Sequence, residues 1–227
     1  MRRAARAADH RGVESRHWDT SRVEAFSDGV FAIAITLLVL DIHVEPSQYD
    51  DLRQALLDEW PTYLAYVTSF LTVGSVWLAH HNLYTQLRYV DPVLLRLNLL
   101  LLLVASFLPF PTGVLAESFD ASDDAERTAI LFYGATALLI ELLLRAAVNY
   151  AKSKPELTHA HAEGEELPAH KPWREGVNTA VYSVAILLGV FIFPRLAAVG
   201  FFVVAIRGVF VVGGEGRLSL RGLARPK

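Results

Sequence analysis

Residues 29–40 carry no charge, and Thr36 is the only polar side chain among them. With the residues before and after, the stretch 22–41 reaches from Arg22 to Asp41. At roughly 1.5 Å per residue, a helix of that length crosses the roughly 30 Å hydrocarbon core of a bilayer. Its first half is different, because Arg22, Glu24, Ser27 and Asp28 are polar or charged. A charge near a bilayer centre costs about 2.5–3.5 kcal/mol on insertion scales, so charges here call for partners or a purpose. Phe26, Ile33 and Leu40 recur every seven residues, with Thr36 and Leu37 between the last two. That spacing belongs to a helix packing about an axis with other helices. Asp28 lies about 140° around the helix from Ile33. One face suits a shared axis, and the other suits a polar network inside the same subunit.

Five more apolar segments follow, at 61–79, 97–115, 128–144, 176–193 and 196–213. The second segment of the chain is rich in Thr, Ser, Tyr and Gly, which suits close helix packing in lipid. Pro109 and Pro111 should kink or end the third. Glu141 sits near the end of the fourth, Pro194 stops the fifth, and Arg207 in the sixth can snorkel to the interface. Six spans put both termini on one side. All but Arg53, Arg127 and Arg195 of the 21 lysines and arginines fall on that side, which the positive-inside rule makes cytoplasmic. The opposite loops are acidic, from Asp41 to Glu59 and again from Glu117 to Glu126. The expected layout is a cytoplasmic arm (1–21), a six-helix transmembrane domain (22–214) and a basic cytoplasmic tail (215–227), multi-pass in the cell membrane. A cleaved leader fits poorly, since Asp28 interrupts the approach to the apolar run and LDIHVEPS offers no small-residue cleavage site. The net charge of −3 gives no reason to expect a nucleic-acid partner, and the absence of cysteine excludes disulfides and thiolate metal sites.

The sequence RVEAFSD, running from Arg22 to Asp28, fits the pattern RxxxFSD, and GVFAIAITLLVLDI follows it. Together they resemble the prokaryotic branch of the transmembrane protein 175 family, relatives of the endolysosomal potassium channel. The resemblance covers the whole chain in layout, with one copy of a six-helix unit. It implies an all-α integral membrane protein with six transmembrane helices per protomer. The protomers would form a homotetramer with the pore around the first helix of each. Potassium is the implied permeant ion, lipid and sister protomers the implied partners, and no cofactor or metal is implied. Ile33, Leu37 and Leu40 fall on the family's apolar constriction positions, whose rings would gate by dewetting. Thr36 adds one hydroxyl near the stripe. Asp41, at the mouth, and the acidic loops would raise the local cation concentration.

Trp77, His80 and His81 end the second span in the same leaflet as Arg22, Phe26, Ser27 and Asp28, and Asn98 begins the third span there. Polar groups in lipid need partners, so these residues are expected to form a structural network that fixes the first helix. The resemblance adds that Trp and His of W-x-x-H-H pack against RxxxFSD. A rival reading is a proton-coupled or secondary cation transporter using Asp28 and His80 or His81. Carriers usually carry internal repeats and broken midplane helices; no repeat is apparent, and 29–40 reads as unbroken. His159, His161, Glu163, Glu165, Glu166 and His170 match no metal-site spacing and read as a solvated loop. Thr72-Val-Gly-Ser lacks the Tyr-Gly ending of a selectivity filter and reads as small residues for tight packing. No nucleophile elbow, phosphate loop or carboxylate pair points to an enzyme.

Overall fold

The first helix begins where Asp19 caps it, its carboxylate accepting a hydrogen bond from the Ser21 N–H at 3.0 Å. Helix α1 covers Thr20–Leu37 and tightens into a 3₁₀ turn over Leu38–Asp41. The run 29–40 is thus helical to its end, but overwound in the last turn. A 3₁₀ segment over Pro46–Asp51 leads into the short helix α2, Leu52–Asp58. Helix α3, Trp60–Tyr84, carries Pro61 in its first turn, where a missing N–H costs nothing. Asp91 caps α4, Pro92–Phe107, accepting from the Val93 and Leu94 N–H groups at 3.1 and 2.8 Å. A break at Leu108 separates α4 from α5, Pro109–Ser118, as the two prolines foretold. Helix α6 runs over Asp123–Ser153, with Asp123, Asp124 and Glu126 against the positive end of its dipole. Helix α7 covers Val199–Phe210.

This computed structural model describes residues 18–119, 121–159, 184 and 199–210. The expected arm before residue 18, the loop histidines and glutamates beyond His159, the fifth span at 176–193 apart from Val184, and the tail 215–227 lie outside the described residues. Within them the protein is all-helical, with no strand and two isolated bridges, Trp18 to Val90 and Leu87 to Thr158. Four stretches are long and apolar enough to cross a membrane: Thr20–Asp41, Trp60–Tyr84, Pro92–Ser118 and Asp123–Ser153. They correspond to the first four expected spans, and α7 falls in the sixth.

The main core lies among α1, α3, the broken pair α4–α5, α6 and α7, with Phe31, Val73, Leu101, Tyr133, Ile140 and Phe201 buried in it. A second cluster holds the end of the bundle where α1 begins, around Val23, Leu83, Leu87, Leu94 and Leu157. The hydroxyl-rich face of α3 is used for close packing. Ser69 Oγ lies 2.8 Å from Thr112 Oγ1 of α5 and donates to the Tyr133 hydroxyl of α6 at 3.1 Å. A Cβ on Gly208 would lie 2.8 Å from the Ser75 Cβ, so α7 crosses α3 at a point where only glycine fits. Glu141 and Arg145 form the expected pair along α6, at 3.6 Å.

Candidate functional site

Helix α1 presents two unlike faces. Val23, Ser27, Phe31 and Ala34 are buried against the rest of the protomer, and Leu38 continues that face into the 3₁₀ turn. At its centre a chain of donors runs in one direction. Asn98 Oδ1 can only accept, so the His80 Nε2–H donates to it at 2.9 Å. The Asn98 amide donates to Ser27 Oγ at 3.0 Å, and Ser27 donates to the Val23 carbonyl at 2.8 Å. The bond places a proton on His80 Nε2, while Nδ1 is buried with no hydrogen-bond partner among the described residues. Its ring stacks on Tyr84 at 4.2 Å and meets the edge of Phe31 at 5.4 Å. All the side chains in this chain are buried, so the bonds work in a medium where an unmade one is costly.

Two further bonds flank it. The Trp77 indole N–H donates to Asp28 Oδ1 at 2.8 Å, and His81 Nδ1 lies 2.7 Å from Glu24 Oε1. Trp77 and His81 stack on each other at 6.1 Å. Acids four apart on α1 therefore face ring nitrogens four apart on α3, a ladder between two packed helices. Ser27, Asp28, Trp77, His80, His81 and Asn98 are brought together as one network. Glu24 also belongs to it, beyond the residues expected from the sequence; its spacing of one turn from Asp28, matched by that of Trp77 and His81, is the signal the sequence offers.

Among the described residues, Arg22 and Phe26 are not part of that network. Arg22 lies about 40° from Phe26 around the helix, and both are exposed. They fall on the opposite face with Ile33, Leu37 and Leu40. Phe26 is 57%, Ile33 60%, Leu37 41% and Leu40 69% exposed. The Thr36 hydroxyl shares this face and donates to the Ile33 carbonyl at 2.9 Å, so its oxygen lone pairs remain outward. This largely apolar stripe is left uncovered by the described helices.

Asp41 takes a third position. Its carboxylate lies against Gly113 of α5, where an added Cβ would come within 3.3 Å of it, and its Oδ2 is buried without a hydrogen-bond partner. It borders a cavity of about 350 Å³ whose walls also include His43, Asp58, Glu59 and Glu117. In the protomer this carboxylate is thus drawn toward α5 rather than onto the exposed stripe. Among the described residues no group of three or more His, Asp or Glu side chains is placed to hold a metal ion.

Fold and site together define a multi-pass helical membrane protein whose first span is bonded on one face and, among the described residues, bare on the other. The family model described as endosomal/lysosomal potassium channel TMEM175 matches residues 22–109, the portion that contains the ladder. The potassium channel of Chamaesiphon minutus is 38% identical over 174 residues, covering 75% of this chain and 84% of that protein. A potassium channel of Streptomyces collinus is 45% identical over 129 residues, 56% of this chain and 62% of the relative's length. The crystal structure of a lysosomal potassium-selective channel TMEM175 homolog from Chamaesiphon minutus superposes with a TM-score of 0.72 at 34% identity. That match covers 85% of this chain and 97% of the other. The chain belongs to the TMEM175 family. That family is one of ion channels and not of enzymes.

Proposed function

We propose that this chain is a potassium-permeable cation channel and that α1 from each of four protomers lines its conduit. The observation that carries the reading is the exposed stripe of Phe26, Ile33, Leu37 and Leu40 on a helix otherwise fixed in place by the Glu24–His81 and Asp28–Trp77 ladder. Helix α1 of one protomer offers one such stripe, and a closed conduit needs several around an axis, so assembly is part of the function. A ring of Ile33 side chains would exclude water and oblige an ion to shed part of its hydration shell, with Leu37 and Leu40 as further apolar rings. Thr36 would offer oxygen lone pairs to the partly dehydrated ion. Asp41, beside the stripe's outer end, would contribute field rather than direct coordination. The permeant ion is potassium, a reading that homologous potassium channels support.

The functional test is purified protein in a planar bilayer under a potassium–sodium gradient, with assembly size measured on the same sample. Unitary current steps with a potassium-leaning reversal potential, from an assembly of four chains, are expected. Slow saturable flux without steps would instead make the protein a carrier.

Orientation follows the distribution of basic residues: the termini are proposed to be cytoplasmic in the cell membrane. Helix α6 alone is roughly 46 Å long by its rise, so Ser122 and Ser153 at its two ends sample opposite sides. In this cysteine-free chain, cysteines at Ser47 and Ser122 should react with an impermeant thiol reagent on intact cells, and one at Ser153 should not. The reverse pattern overturns the orientation.

A further inference from the structure

We infer that the segment joining the first two spans is a lipid-interface anchor, with α2 seated at the headgroup–acyl boundary and Arg53 directed at lipid phosphate. The segment starts where the span Thr20–Asp41 ends and stops where Trp60–Tyr84 begins. It is therefore tethered at both ends to the same membrane face, at the end of the bundle away from residue 18. Helix α2 packs against the preceding 3₁₀ segment and α3, and Ala55 is its only buried residue. Leu52, Leu56 and Leu57 are exposed, as are Tyr49 before the helix and Trp60 after it.

The arrangement of charge selects the occupant. With Leu52 at zero, Leu56 lies near 40°, Arg53 near 100° and Leu57 near 140°. Gln54 and Asp58 lie near 200° and 240° and bond to each other at 2.8 Å. Arg53 is the only lysine or arginine between residues 41 and 60, yet it sits among the leucines and not with the acids. A guanidinium within an apolar face is the chemistry of a side chain whose stem lies in acyl chains and whose head reaches phosphate. Tyr49 and Trp60 flanking that face are the residue types enriched at the water–lipid boundary. A second copy of the chain is the weaker occupant, because it would bring another strongly acidic segment against this one.

The test uses the full chain with single spin-labelled cysteines at Leu52, Leu56, Leu57 and Gln54, reconstituted in vesicles of phosphatidylcholine with phosphatidylglycerol. Collisions with oxygen should exceed those with a water-soluble nickel chelate several-fold at Leu52, Leu56 and Leu57, and the ratio should reverse at Gln54. Arg53→Glu should lower the ratio at Leu56. A Leu56 label as open to nickel as Gln54 would make the segment a solvated loop. A label shielded from both reagents would place protein on that face. Either result overturns the proposal. Label-free, brominated phosphatidylcholine should quench the emission that Trp60→Phe removes; an unchanged quenched fraction in that variant also overturns it. These readouts do not depend on ion conduction, so they stand or fall apart from the channel reading.

Discussion

Ile33 and Ala34 are neighbours in sequence and opposites in the molecule. Ala34 is fully buried against the protomer, while Ile33 is 60% exposed on the stripe. The inner face of α1 is finished: its polar side chains have partners, and its apolar ones are packed. The outer face, from Phe26 to Leu40, is largely apolar and uncovered by the described residues. The contrast separates two jobs on one helix. Residues facing inward set how firmly α1 is held, and residues facing outward set what meets whatever lies across from them.

Substitutions that respect or violate this division test it, and the largest effect is expected at Ala34. Ala34→Asn forces extra volume into a packed site, worth about 1–3 kcal/mol, and leaves a buried amide short of partners at a similar further cost. Loss of folded, monodisperse protein in size-exclusion chromatography is expected. If Ala34→Asn is well folded and Ile33→Asn is not, the two faces have been exchanged.

Asn98→Leu comes next. It removes the acceptor of the His80 Nε2–H and the donor to Ser27 together, so a buried donor is orphaned at about 1–3 kcal/mol and the lost Ser27 bond adds about 0.5–1.5 kcal/mol. Thermal unfolding in detergent should shift down clearly, with selectivity unchanged in whatever protein survives.

Asp28→Ala should cost less, about 1–3 kcal/mol, because it breaks one bond to Trp77, whose ring is partly exposed. A fall in thermal stability smaller than that of Asn98→Leu is the expected reading. An equal or larger fall would mean that Asp28 has a partner beyond the described residues.

Ile33→Asn should barely move thermal stability, and it sharpens the comparison from the other side. Amide groups in the ring lower the barrier to any small cation, so larger currents and a reversal potential shifted toward non-selectivity are expected, with Leu37→Asn weaker in the same direction. Unchanged conductance would show that the stripe faces lipid. Val39→Asn should have the smallest effect on both measurements. Val39 lies about 120° from Ile33 by helical geometry, but the 3₁₀ turn leaves it 48% exposed rather than buried.

The ladder shows why part of this site was readable and part was not. Periodicity assigned Ile33, Leu37 and Leu40 to one face and Asp28 to another, because 3.6 residues per turn is a property of the helix alone. The same arithmetic pairs Glu24 with Asp28 and Trp77 with His81, but it cannot say which acid meets which ring. That depends on the axial register of α1 against α3. Arg22 and Phe26 illustrate the same gap: a shared leaflet and the RxxxFSD pattern suggest a common network with Ser27 and Asp28, and rotation about the helix separates them.

What the sequence determined by itself is the number and position of the apolar spans in the described residues, the break at the prolines, the basic–apolar layout and the motif that ties the chain to its family. Each is local, resting on side-chain chemistry, helical rise and the missing N–H of proline. The tertiary structure decided the donor order from His80 through Asn98 to Ser27, the inclusion of Glu24, the turn of Asp41 toward Gly113, and the glycine crossing of α7 over α3 at Ser75. These depend on how far one helix slides and rotates against another, a choice set by packing summed over whole interfaces and written at no single position in the chain.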